Sequence, residues 1–109
     1  MVRIIAFIRP YRLEQVKSAI AALGVSGLTV ADVRGVGDTL RPAGPLPQAG
    51  TMPIQSRLEV CVSDDLSAEV VDAIERNAHT GEPGDGKIFV ERLLDAIRIR
   101  TSERGELAI

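Results

Sequence analysis

The residues best suited to binding chemistry lie in the segment 80–90, whose sequence is TGEPGDGKIFV. Three glycines and a proline stand just before Lys87, and this lysine opens an apolar run. A turn of this composition points several backbone N–H groups at one spot, where an anion such as phosphate can bind, and the lysine adds a point charge. Such clusters also commonly do no more than join a helix to a strand. The segment is neither a Walker A loop nor a Gly-x-Gly-x-x-Gly motif, so the turn alone leaves both interpretations open.

The elements that must position this turn follow from the apolar periodicity of the chain. A β-branched run at 2–8 predicts a buried strand that Pro10 ends, and helical spacing over 13–23 predicts a helix that stops at Gly24. Further strands are predicted from Leu28 to about Val36, over Arg57–Val62 and from Ile88 to about Arg92, with a second helix after Ser63-Asp64-Asp65.

The order strand, helix, strand, loop, strand, helix, strand predicts the fold class. It is typical of the α+β ferredoxin-like double βαβ (βαββαβ) sandwich, here as a single domain over 1–109. Many strand residues are apolar on both faces, so we expect another subunit to cover the open face of the sheet. Four of the six prolines fall between 37 and 53 without a consistent period, which predicts a mobile loop that protrudes over 38–56.

The composition restricts the function classes. The 109 residues are 45% hydrophobic and 26% charged, as expected for a globular domain. A net charge of −2 with only 3% aromatic residues argues against a nucleic-acid-binding module, which needs a basic face or stacking platforms. No apolar run approaches the roughly 20 residues of a membrane span, so we expect a protein that is not membrane-embedded. One cysteine and one histidine exclude an internal disulfide and a structural zinc site, and fit a cytoplasmic location.

Four motifs, in the right order along nearly the whole chain, resemble the PII signal-transduction proteins. The motifs are IRPYRL at 8–13, GLTV followed by VRGVG at 27–37, TGEPGDGKIFV at 80–90 and IRIRT at 97–101. Together they are far more specific than one glycine turn. The resemblance implies a non-enzymatic homotrimer that binds adenine nucleotide in the clefts between its subunits, with the Gly-x-Gly segment on one face of a cleft and the glycine turn on the other.

The resemblance also implies which residues form each nucleotide site. The adenosine side is assigned to Thr29, Gly35, Val36 and Gly37, with Glu59 and Cys61 on the neighbouring strand, and Asp38 is also assigned to the nucleotide site. The phosphates are assigned to Gly84, Asp85, Gly86 and Lys87, and to the two arginines Arg98 and Arg100. Glycines allow close backbone approach, and arginines supply forked donors to phosphate oxygens. No catalytic residue and no metal ligand is predicted.

The loop departs from the family pattern. It contains no tyrosine, which excludes uridylylation at the usual site, and Thr39 stands where the family has a glutamine that helps to hold magnesium and 2-oxoglutarate. Gln55 stands where the family has a lysine that pairs with 2-oxoglutarate. Without that cation the dicarboxylate is poorly compensated. We therefore expect weak or absent 2-oxoglutarate binding, with ADP or AMP retained and ATP as a further candidate.

Such a pattern is similar to that of the divergent PII-like proteins of carboxysomes and inorganic-carbon metabolism. This similarity implies bicarbonate as a second ligand, in a small-anion site formed by Gly37, Asp38, Arg57 and Lys87. It also implies association with carboxysomes, and a target protein, an enzyme or a transporter, that binds the loop 38–56. The alternatives are a nitrogen-regulatory PII protein that senses ATP and 2-oxoglutarate, a weak nucleotide-hydrolysing enzyme, and a structural domain in which the turn is only a connector.

Overall fold

The protein is described by a computed structural model that covers residues 1–37 and 45–109. The predictions made for Asp38 and Thr39 lie outside the described residues.

The described residues form four strands and two α-helices. The elements in chain order are β1 (Val2–Ile8), α1 (Leu13–Ala21), β2 (Thr29–Arg34), β3 (Ile54–Val62), α2 (Asp64–Ala78) and β4 (Gly86–Arg92). The strands form one sheet in the order β2-β3-β1-β4, in which every neighbouring pair is antiparallel. This arrangement confirms the predicted ferredoxin-like α+β fold.

The core lies between one face of the sheet and the two helices. Alternate residues of β1 and β3 point towards the helices, because successive side chains of a strand lie on opposite faces. The buried apolar side chains include Ile4, Ala6, Ile8, Val16, Ile20, Leu58, Val60, Val70 and Ile74. Val16 and Ile20 belong to the stretch 13–23 whose apolar spacing predicted the first helix.

Strand β3 begins at Ile54, three residues before the predicted Arg57, and so takes in Ile54–Ser56 of the predicted loop. Cross-strand contacts account for the early start. Arg34 pairs with Ile54, and the N–H of Gly35 donates to the carbonyl of Pro53 at 3.1 Å. The Arg34 guanidinium also donates to the carbonyls of Gly50 and Met52, at 3.1 and 3.0 Å. These partners are remote in sequence, so local periodicity did not predict them.

The sheet has two ends with different roles. At the end that we call the turn end, β1 and β2 finish while β3 and β4 begin. At the opposite end, called the far end, β2 begins, β3 finishes, and residues 93–109, the C-terminal segment, follow β4. The predicted site residues divide between these two ends.

Candidate functional site

A cavity of about 730 Å³ lies at the turn end, and we call it the turn pocket. It brings together two segments that are far apart in sequence, 35–37 after β2 and 84–87 at the start of β4. The resemblance to PII placed these segments on opposite faces of a cleft. The antiparallel topology instead sets them around one cavity of a single chain. Volumes of roughly 300–1,000 Å³ are usual for small-molecule pockets.

The glycine turn, residues 80–87, has a backbone that only glycine adopts readily. Gly81, Gly84 and Gly86 have φ angles of +89°, +99° and +108°. A Cβ atom on Gly86 would lie 1.6 Å from the backbone oxygen of Phe7, so the fold itself excludes any side chain there. Gly37 differs, because a Cβ built on it meets no atom of residues 1–35 or 45–109 within 4 Å. The described part of the fold therefore leaves space beside Gly37.

Asp85 ties the glycine turn together from within. One carboxylate oxygen accepts the N–H groups of Thr80 and Gly81 at 2.8 and 2.9 Å, and the other accepts the Thr80 hydroxyl. These hydrogen bonds, above all those from Thr80, hold the pKa of Asp85 well below its usual value of 3.8. Asp85 was predicted to contact phosphate, but its carboxylate is a negative charge already bound to the turn. The structure places it as a residue that shapes the turn.

Arg9 provides the cation of the same cluster. Its Nε donates to Asp85 at 3.0 Å, and its Nη2 donates to the carbonyls of Pro83 and Glu82 at 2.7 and 3.4 Å. Both side chains of the pair are about three-quarters buried, with 25% and 24% exposed. Arg9 belongs to the motif at 8–13, but no role was predicted for it from the sequence.

Other wall residues of the turn pocket also had no predicted role. They include Phe7, Pro10, Tyr11, Pro53, Ile54 and Phe89. The signal that could have found them is the strand register, because Phe7 pairs with Lys87 across β1 and β4. Gln55 also lines the pocket, and its Oε1 lies close to Gly35. Gln55, which was predicted to stand where the family has a lysine, therefore lies in the wall of the turn pocket.

Three predicted adenosine-side residues, Thr29, Glu59 and Cys61, are not in the turn pocket. Thr29 pairs with Glu59 in the sheet, and Cys61 is two residues further towards the far end. Glu59 is ion-paired with Arg3 and Arg57 at 3.6 and 3.2 Å. Burial, followed by the charge of Glu59, raises the pKa of the Cys61 thiol, so Cys61 is held as a neutral group.

Arg57, predicted for the small-anion site, also points away from that role. Its guanidinium is engaged by Glu59, and it is not among the residues that line the turn pocket. Gly37 and Lys87 of the same predicted site do line it.

The two predicted arginines lie in the C-terminal segment. Arg98 is occupied within the segment, since it bonds the Leu107 carbonyl at 3.2 Å and pairs with Glu103 at 3.4 Å. Arg100 is exposed and has no hydrogen bond or ion pair with the residues that the structure describes. A backbone bridge between Ile97 and Arg104 closes the segment on itself. Arg100 is thus presented outwards by a closed loop.

Within residues 1–37 and 45–109, no group of three or more His, Cys, Asp or Glu side chains could hold a metal ion. None of the helices described there is long and apolar enough to cross a membrane.

Comparison with known proteins gives consistent matches along the chain. A family model described as "Nitrogen regulatory protein P-II" matches residues 1–103. A P-II homolog of Arabidopsis thaliana is 43% identical over 107 residues, which cover 94% of this chain and 55% of the relative. The nitrogen regulatory protein GlnK of Escherichia coli K12 is 40% identical over 106 residues, covering 94% of both chains. The chain thus spans about half the length of the plant relatives, and nearly all of the bacterial one.

A solved structure extends the match to three dimensions. The crystal structure of Arabidopsis thaliana PII bound to citrate superposes with a TM-score of 0.83 at 40% sequence identity. The match covers 99% of this chain and 91% of the other.

Proposed function

Because the chain belongs to the nitrogen regulatory P-II family, we propose that it is a trimeric regulatory protein that binds adenine nucleotide at the turn pocket. ADP or AMP is the expected ligand, and ATP is a further candidate. Nucleotide occupancy changes the state of the loop 38–56, which contacts a target protein. In this proposal the chain signals and does not catalyse a reaction.

The observation that carries the proposal is the meeting of the Gly-x-Gly segment and the glycine turn around one cavity. Backbone amides of a glycine turn suit an anion, and Lys87 adds a positive charge to the same wall. The open space beside Gly37 allows a ligand to approach the backbone closely. The apolar walls, including Phe7 and Ile54, suit the base or ribose better than the phosphates.

The far-end residues support a site that is completed by a neighbouring subunit. Thr29 lies six residues before Gly35, which corresponds to roughly 20 Å along an extended strand. One chain therefore cannot easily bring both ends of its sheet to the same nucleotide. In a cyclic trimer with head-to-tail contacts, the far end of one subunit meets the turn end of the next. Arg100 then reaches the phosphates held by the neighbour's turn.

Exposed apolar side chains support the same assembly. Leu94 and Ile99 of the C-terminal segment are fully exposed in the single chain, and Leu107 is largely exposed. Apolar residues clustered in this way commonly mark a protein–protein interface. The trimer is thus proposed to bury these residues and to complete the nucleotide site in one step.

Bicarbonate is the proposed second ligand. Gln55 supplies a neutral amide beside Gly35, so the pocket lacks a cation at that position for a dicarboxylate. A small singly charged anion needs less compensation. The cytoplasmic, carboxysome-associated location expected for this branch belongs to the same proposal.

Isothermal titration calorimetry tests the function directly. The wild type is expected to bind ADP or AMP, and Lys87→Ala is expected to weaken that binding. Arg76→Gln is the matched control, because it removes a cation whose partner is Asp72 on the exposed side of α2. No measurable nucleotide binding, or equal affinity in wild type and Lys87→Ala, would overturn the proposal.

The second candidate is a nitrogen-regulatory sensor of ATP and 2-oxoglutarate. It is favoured by the name "nitrogen regulatory protein" of the bacterial and plant relatives. Nucleotide titrations repeated with bicarbonate, 2-oxoglutarate and citrate separate the two candidates. A ligand that is coupled to the nucleotide must change the nucleotide affinity, and the nucleotide must change the affinity for that ligand by the same factor. Citrate is included because it is bound in the Arabidopsis thaliana structure. Sustained release of phosphate from ATP would favour an enzyme instead.

A further inference from the structure

We propose that Arg9 is a positioning residue for the phosphate half of the nucleotide site. Its guanidinium holds the glycine turn in its binding shape before any ligand arrives, and it acts through Asp85 and two carbonyls without touching the phosphates. The inference rests on the proposed nucleotide binding, and its test separates failure of the two.

The contacts of Arg9 reach both limbs of the turn. Its Nε bonds Asp85 at 3.0 Å, close to the start of β4, while its Nη2 bonds the carbonyls of Pro83 and Glu82 at 2.7 and 3.4 Å. Asp85 in turn accepts the N–H groups of Thr80 and Gly81. A single ion pair thus connects the first and last parts of the turn through four backbone groups.

The bond to the Pro83 carbonyl also determines the direction of an amide. In a trans peptide the C=O and the following N–H point in opposite directions. With the Pro83 carbonyl held by Arg9, the N–H of Gly84 points away from the guanidinium. Gly84 has a φ of +99° and can rotate more freely than any other residue type. Without the hydrogen bond from Arg9 this peptide can flip, and a carbonyl oxygen would then face the anion in place of an N–H donor.

The fork of arginine is required for this role. The guanidinium is planar and presents several N–H donors in fixed directions, whereas lysine offers one compact charge. Arg9 uses two different nitrogens for the carboxylate and the carbonyls. Arg9→Lys keeps the charge and is expected to lose part of these hydrogen bonds. It therefore separates the effect of the charge from that of the bonding geometry.

The first test compares ADP with adenosine, which lacks phosphates, on the purified full chain. Arg9→Gln is expected to weaken ADP binding about tenfold to a hundredfold, the range for losing hydrogen bonds to charged groups. Adenosine affinity is expected to stay near the wild-type value, as in the control Arg76→Gln, although loss of the Arg9–Asp85 ion pair lowers the urea midpoint. Arg9→Lys should recover only part of the ADP affinity. Equal losses for ADP and adenosine would overturn the proposal, because they indicate general damage to the fold.

A double-mutant cycle distinguishes positioning from direct contact. If Arg9 acts in part through Asp85, Arg9→Gln combined with Asp85→Asn weakens ADP binding by less than the sum of the two single losses. Fully additive losses would mean that Arg9 acts independently of Asp85, which overturns the inference.

Amide hydrogen exchange in the ligand-free protein provides a readout that does not depend on nucleotide. Arg9→Gln is expected to speed exchange at Thr80 and Gly81, whose N–H groups bond Asp85, relative to the core strands. If the wild type fails to bind ADP but this acceleration is seen, Arg9 does hold the turn and the proposed function is wrong. Unchanged exchange would show that Arg9 does not hold the turn.

Discussion

The two ends of the sheet carry the two halves of the predicted nucleotide site, but a single chain completes only one of them. At the turn end, Asp85 and Arg9 connect the glycine turn internally, and the pocket walls are in place. At the far end, the C-terminal segment closes on itself yet leaves Leu94 and Ile99 fully exposed. The turn end is thus held together by contacts within the chain, whereas the far end leaves apolar side chains exposed. In the proposed trimer, this difference makes the nucleotide site depend on assembly.

The largest expected effect is a difference in stability between alanine variants of two glycines at the turn end, Gly86 and Gly37. Gly86→Ala forces a Cβ to 1.6 Å from the Phe7 oxygen at a φ of +108°, so we expect a loss of about 3–5 kcal/mol in the free energy of unfolding. The added methyl group of Gly37→Ala meets no atom of the described residues within 4 Å, so this change should alter stability by less than about 1 kcal/mol. Its ADP affinity should nevertheless fall, because the methyl group occupies space left for the ligand. Urea denaturation and calorimetry measure both, and a stable Gly86→Ala protein would contradict the described turn.

The next effect tests whether the two ends meet across subunits. Lys87→Ala and Arg100→Ala are each expected to weaken ADP binding about tenfold to a hundredfold. Each substitution alone damages every site of a trimer. When the two variants are co-expressed, a mixed trimer regains one site with Lys87 from one chain and Arg100 from the other, so about one site in four recovers at equal mixing.

The readout for this mixing experiment is the fraction of high-affinity sites in an ADP titration. Lys87→Ala co-expressed with Arg76→Gln calibrates the titration, because at equal mixing about half of the sites keep both Lys87 and Arg100, whether the two residues act in one chain or across two. No recovery in the Lys87→Ala and Arg100→Ala mixture would mean that both residues act within the same chain.

The fold could be predicted from the sequence, whereas the contacts that hold the glycine turn could not. Apolar periodicity and the glycine motif depend on local sequence, so the elements and the turn could be predicted from it. The resemblance to PII implied that the Gly-x-Gly segment and the glycine turn share one site. The role of Arg9 and the early start of β3 at Ile54 depend on partners 15 or more residues away, so local sequence did not predict them. Asp85 shows the limit most clearly. Asp85 was assigned to the phosphates as a member of the glycine motif, whereas its carboxylate accepts hydrogen bonds from Thr80 and Gly81 that tie it to the turn.

A smaller effect is expected for two aspartates, Asp85 at the turn end and Asp95 at the far end, that hold their segments by hydrogen bonds. The pKa of Asp85 is lowered mainly by Thr80, and that of Asp95 is lowered mainly by the N–H of Ala96 and by Arg104. Because both folded-state pKa values lie below the usual 3.8, each carboxylate stabilises its end above that pH and loses the contribution as the pH falls further. Asp85→Asn should therefore be less stable than wild type at neutral pH, with a difference that shrinks below pH 3.8.

The far end should respond differently to the matched change. Asp95 accepts the N–H of Gly105 at 3.3 Å and pairs with Arg104 at 2.7 Å, and all three groups belong to the exposed C-terminal segment. Asp95→Asn is expected to speed hydrogen exchange at Gly105 with little change in global unfolding, since local opening does not require the core to unfold. A global loss as large as that of Asp85→Asn would remove the contrast between the two ends.

The smallest expected effect concerns Ser56, which lies at the turn end on the core side of the sheet. It is 1% exposed and pairs with Ile8, and its hydroxyl has no hydrogen-bond partner among the described residues. Removing a buried hydroxyl that makes no hydrogen bond costs little, so Ser56→Ala should be neutral or more stable by up to about 1 kcal/mol. Its neighbour Gln55 lines the pocket, whereas Ser56 does not, so ADP affinity should also stay unchanged. Loss of ADP affinity in Ser56→Ala would show that residues on the core side of the sheet, behind the pocket walls, also determine the shape of the nucleotide site.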